Sequence, residues 1–154
     1  MKVILPTKTY QLFFEHRPGY LYVYVGSDVN NLDIARSYWF EIMSLLFRRQ
    51  YGHILIDKDV SQFLSANDVH NLIDQLSRAG YDRVSISIYD RYYEQERCDF
   101  EQFAATDRGI NLQISPSLDE AETWLLAELE SDREDSSATH FANRRLAFNA
   151  GAAP

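Results

Sequence analysis

The sequence predicts one α/β domain, an antiparallel hairpin followed by alternating strands and helices in the order ββαβαβαβα. Three observations predict it. Two aromatic and β-branched runs, Tyr10 to His16 and Tyr20 to Val25, flank Arg17-Pro18-Gly19, where Pro presets φ and Gly accepts a positive one. From Asn31 onward the apolar spacing alternates between the helical and the extended period. The chain of 154 residues, 45% of them hydrophobic, is long enough for one sizeable core and short for two.

Each element has its own warrant. In the second run Leu21, Val23 and Val25 alternate with Tyr20, Tyr22 and Tyr24, predicting an aliphatic core face and a tyrosine stripe covered by a helix or a subunit. Asn31 is placed to cap a helix reaching Arg49, with Leu32, Ala35, Trp39, Ile42, Met43 and Leu46 on one side. His53 to Ile56 predicts a short internal strand with Asp57 at its carboxyl end, followed by a polar loop from Asp57 to Asp68. Ser65 or Asn67 caps the next helix, which carries Val69, Leu72, Ile73 and Leu76 and stops at Ala79-Gly80. Val84 to Tyr89 alternates as a strand; Phe100 to Arg108 predicts a helix, Ile110 to Ile114 a strand, and Ser117 to Leu129 a last helix with Ser117 and Glu120 at capping-box spacing. Residues 1–129 are thus read as the domain. Residues 130–154, rich in charge, Ser and small residues, are read as a mobile tail in which Phe141, Leu146 and Phe148 allow a short docking segment.

Composition narrows the function. A net charge of -8 repels phosphate backbones and anionic lipid, and the pairs Arg48-Arg49 and Arg144-Arg145 are too small to make a basic patch, so neither nucleic acid nor membrane is an expected partner. The lone Cys98 excludes an internal disulfide, fits a reducing cytoplasm, and reads as a passive exposed thiol in a polar loop. No secretory signal or spanning segment is visible in MKVILPTKTY. The chain is therefore expected in the cytoplasm.

The strand and loop HILIDKDVSQFLSANDV, the strand VSISIYDR, and the segment FEQFAATDRGINLQISPSLDEAETWL resemble the STAS domains of anti-sigma-factor antagonists, closest to the bacterial SpoIIAA-like branch. The resemblance covers residues 10 to 127. It implies a mixed sheet with helices packed mainly on one face, and a non-enzymatic regulatory module whose partner is a protein, such as a regulatory kinase or an anti-sigma-like protein. In the phosphorylatable antagonists an Asp-Ser-Ser-Gly run opens the helix after this strand. Ser65, Ala66, Asn67 and Asp68 occupy those four places, so the acceptor place holds Asn67, which has no hydroxyl. The resemblance therefore does not carry over the usual switch at this place, and Ser61 and Ser65 are the hydroxyls left for phosphorylation under a shifted register.

The residues singled out for partner binding are Asp57, Asp59, Ser61, Ser65, Asn67 and Asp68, with Asp90 and Arg91 from the next strand end. A helix N-terminus there attracts anions, but the surrounding carboxylates favour a basic partner surface. No catalytic residue, metal ligand or cofactor is assigned. His16, His53, His70 and His140 share no ligand spacing. Two further functions stay open: a carrier of a small apolar ligand or lipid, on the aromatic content that includes Tyr22, Tyr24, Tyr38 and Trp39; and a Mg²⁺-dependent phosphate-handling enzyme built on Asp57, Asp59 and Asp90. The tyrosine-rich hairpin or the tail would serve a homodimer.

Overall fold

The computed structural model describes the backbone of residues 9–152 and the side chains of residues 9–135. The elements are β1 (Gln11–Arg17), β2 (Tyr20–Ser27), α1 (Leu32–Arg49), β3 (His53–Val60), α2 (Ala66–Ala79), a 3-10 turn (Tyr81–Arg83), β4 (Ser85–Asp90), α3 (Gln95–Asp107), β5 (Asn111–Ser115) and α4 (Leu118–Ala152). The sheet order is β1-β2-β3-β4-β5, with β1 and β2 antiparallel and every other pair parallel. This is the mixed α/β arrangement that the sequence predicts.

Side-chain parity divides the molecule. Leu21, Val23, Val25, Ile54, Ile56, Val60, Ile86 and Ile88 point to one face, where they form the main core with α1, α2 and α3. Among the described residues, the opposite face is covered by α4 alone, through Ala121 and Leu125 packed on Tyr20 and Leu55. Three helices pack on one face and one on the other. Truncating a fully buried member of the main core, such as Leu46 or Ile54, to Ala costs about 2–5 kcal/mol.

The caps explain where the helices start and stop. Asn31 accepts from Ile34 N at 2.9 Å, as its type and place predict. At α2 the cap is Ser65, whose Oγ accepts from Asp68 N at 3.2 Å, while Asn67 lies inside the helix. Gly80 ends α2 at φ +116, and a Cβ there would come 2.7 Å from the Phe47 ring, so a side chain is excluded twice over. Ser117 and Glu120 do pair at the start of α4, with Ser117 Oγ donating to Glu120 Oε2 at 2.9 Å and accepting from Glu120 N at 3.2 Å.

Three boundaries differ from the sequence expectation. β3 runs on to Val60, so Asp57, Lys58 and Asp59 are strand residues and the loop shrinks to residues 61–65. α3 begins at Gln95, capped by the Glu94 carboxylate accepting from Arg97 N at 2.8 Å, so Cys98 is a buried helical residue at 1% exposure and not an exposed loop thiol. The backbone of α4 continues helically past Leu129 to Ala152. The side chains of Phe141, Leu146, Phe148 and His140 lie outside the described residues, and with them the docking segment expected in the tail. Among the described residues, no helix is long and apolar enough to cross a membrane.

Candidate functional site

The C-terminal end of β3 carries Asp57, Lys58, Asp59 and Val60, and parity sends alternate side chains to opposite faces. On the α4 side, Asp57 is 3% exposed and fully engaged. Tyr22 Oη donates to its Oδ2 at 2.6 Å, and Arg91 makes a two-pronged contact, Nε to Oδ1 and Nη2 to Oδ2, each at 2.9 Å. Tyr24 Oη donates to Asp59 Oδ2 at 2.7 Å, and Arg91 Nη1 lies 3.8 Å from that same oxygen.

The register explains both tyrosine contacts. Tyr22 is paired with Leu55 and Tyr24 with Asp57, so each ring leans two residues along β3 to the next carboxylate. Gly26, paired with Asp59, makes room for the second contact: a Cβ there would sit 2.5 Å from Tyr24 Oη. Burial, then the bond to Asp57, pushes the Tyr22 hydroxyl well above its ordinary range; for Tyr24 the bond to Asp59 comes first and burial second. The Asp57 bond also holds Arg91 more firmly protonated. The tyrosine stripe is therefore covered only in part, with Tyr20 buried beneath α4 and Tyr22 and Tyr24 half-buried.

On the other face, Lys58 enters the main core side beside Tyr38 of α1, Asp90 at the end of β4, and Arg97 and Glu101 of α3. Asp90 is 1% exposed and is held by Arg97 Nη1 and Nη2, each at 3.2 Å, and by Tyr92 N at 2.9 Å. Arg97 Nη1 also reaches Glu101 Oε1 at 3.2 Å, and its guanidinium lies 3.9 Å from the centre of the Phe63 ring. Lys58 makes no hydrogen bond among the described residues. Burial would lower its pKa, but the nearby Tyr38, Glu101 and Asp90 outweigh that and raise it, so the amine stays charged.

The residues chosen from sequence thus fall into three places. Asp57, Asp59 and Arg91 form one cluster on the α4 face. Asp90 belongs to the opposite face, so the three carboxylates of the Mg²⁺ arrangement do not converge; among the described residues no group of three metal-ligating side chains does. Ser61, Ser65, Asn67 and Asp68 lie on the rim, with Ser61, Ser65 and Asn67 exposed and the Ser65 hydroxyl committed to its cap. Phe63, 49% exposed on the same loop, joins them.

Sequence reasoning missed Tyr22 and Tyr24 as partners of the carboxylates, Arg97 as the partner of Asp90, and Lys58 as an inward-facing group. The signal was present: the alternation of Ile54 and Ile56 continues through Lys58 to Val60, which turns Asp57 and Asp59 toward the tyrosine stripe. Between the sheet and α1, α2 and α3 lies a cavity of 60 Å³, lined by Tyr38, Trp39, Lys58, Leu64 and Glu101 among mostly aliphatic side chains. That is room for about two waters, against the roughly 300–1,000 Å³ of ordinary small-molecule pockets. Of the other aromatics considered for a ligand pocket, Tyr20, Phe40, Phe47, Tyr89, Tyr92 and Tyr93 do not line this cavity, and Tyr22 and Tyr24 face the opposite side.

The three described histidines are engaged individually. His16 contacts the Tyr51 hydroxyl, His53 Nε2 lies 2.6 Å from Asp132 Oδ2, and His70 meets the Phe100 ring edge-on at 5.2 Å.

No protein-family model matches the chain, and no curated protein matches it. Among solved structures, it is similar to an anti-sigma factor antagonist from Mycobacterium paratuberculosis, at 14% sequence identity and a TM-score of 0.49, over 79% of this chain and 98% of that one.

Proposed function

We propose that this chain is a non-enzymatic recognition module of the cytoplasm, which docks a protein partner on the rim formed by the loop at residues 61–65 and the start of α2. The observation that carries the proposal is the contrast between spent and presented groups. Asp57 and Asp90, the carboxylates best placed for chemistry, are each neutralised by an arginine and held by further donors. Phe63 remains presented beside exposed Ser61, Ser65 and Asn67 and half-buried Asp68. An aromatic anchor ringed by polar groups is the composition of a binding hot spot. The resemblance carried by HILIDKDVSQFLSANDV also implies a protein partner for this same stretch.

The test is affinity capture from the source cells with three baits. The wild type retains a specific protein, Phe63→Asp loses it, and Phe103→Asp, at a still more exposed aromatic on α3, retains it. Capture unaffected by Phe63→Asp would contradict the docking face. Self-association is favoured by a separate observation: Phe13 is 55% exposed on edge strand β1, beside the uncovered part of the tyrosine stripe. Light scattering is expected to give a dimer mass for the wild type and a monomer mass for Phe13→Lys; a monomeric wild type would refute it.

A further inference from the structure

The cavity beneath the 61–65 loop holds polar groups that the protein itself does not satisfy. Tyr38 is 2% exposed, lines the cavity, and its hydroxyl makes no hydrogen bond among the described residues. Lys58 lines the same space with an ammonium group that likewise lacks an acceptor. Asn30 contributes a buried Oδ1 that accepts from nothing. Tyr38 and the Asn30 oxygen are buried while Lys58 is half-buried, and buried polar groups are rarely left unpaired, because each costs about 1–3 kcal/mol without a partner. Their convergence on one space points to a bound group.

The charges decide its chemistry. Lys58 and Arg97 face Asp90 and Glu101, so the cluster is already neutral, and a charged head would leave a net charge in a largely buried site. A hydroxyl suits the inventory: it accepts from Lys58 or Tyr38 and donates to Asn30 Oδ1 or to Glu101. The inner cavity is lined mostly by aliphatic side chains, and it shares Leu64, Val69 and Glu101 with an outer groove of 340 Å³ that runs past Ala66 and Phe100 and is edged by Glu94, Glu96 and Arg97. Leu64 lines both spaces, so the binding proposed here requires it to move. We propose that this site binds a small neutral molecule bearing a hydroxyl on an apolar body, the hydroxyl seated between Lys58 and Tyr38 and the body in the groove between α2 and α3. The site shares Phe63 and Leu64 with the proposed docking face, but its test reads ligand binding and not partner capture.

The test is an NMR titration of the ¹⁵N-labelled protein with p-cresol, toluene and p-toluate, which share one body and differ in the head. Saturable shifts at Leu64, Val69 and Glu101 are expected with p-cresol, at an affinity about five-fold above that for toluene or p-toluate, the worth of one hydrogen bond. Lys58→Met, or Tyr38→Phe should the first variant disturb the spectrum globally, is expected to bring p-cresol down to the toluene affinity. Three results would overturn the proposal: no saturable shift with any probe, meaning ordered water only; equal binding of toluene, meaning an apolar void; or tightest binding of p-toluate, meaning an anion site.

Discussion

Asp57 and Lys58 are neighbours on β3, yet one is tied down by three hydrogen bonds and the other by none. The difference follows from what each face offers. On the α4 side, Tyr22 from β2 and Arg91 from just past the end of β4 close around the carboxylate, so little of it is left for a ligand. On the core side, Arg97 is already shared by Asp90 and Glu101, which leaves Lys58 close to carboxylates without touching one. Satisfied polar groups hold a fold together; unsatisfied ones beside a cavity are where binding is to be sought.

Breaking the satisfied face is expected to have the largest effect. Asp57→Ala strands Tyr22 and Arg91 and is expected to cost about 3 kcal/mol in urea unfolding, less than a fully buried ion pair because Arg91 reaches solvent. Tyr22→Phe removes one charge-assisted bond, about 1.5 kcal/mol. It also sharpens the comparison through pH. The folded state raises the Tyr22 pKa, so its contribution is complete below the ordinary tyrosine value of about 10 and is lost as pH rises through and beyond that value toward the folded pKa. The stability of the wild type is therefore expected to fall more steeply above pH 10 than that of Tyr22→Phe, as followed by urea midpoints; parallel curves would contradict the assignment. Lys58→Met is expected to have the smallest effect, a loss of no more than about 1 kcal/mol, because the ammonium offsets Asp90 and Glu101 without bonding either.

Much of the fold was legible because pattern and chemistry agreed. Asn31 is a good cap ahead of a regular apolar stripe, and Pro18-Gly19 lies between two alternating runs; the hairpin and α1 form where these signals place them. β3 was cut short because Asp57-Lys58-Asp59 reads as loop by polarity, although its alternation stays in step with the strand. α3 was entered late because its buried side is built of small residues, Cys98, Ala104 and Ala105, which give little helical signal. The candidate site was legible as residue types but not as an arrangement. Nothing local to Asp90 tells that it faces Arg97 and not Asp57; only the register of β3 against β4, which pairs Lys58 with Asp90, settles that.

The division between the two faces is tested most directly by a pair of double-mutant cycles in urea, one on Asp57→Asn and Arg91→Met, the other on Lys58→Met and Glu101→Gln. The account predicts a coupling of about 2 kcal/mol for the first pair and less than about 0.5 kcal/mol for the second. Equal couplings, or the larger one at Lys58, would contradict it.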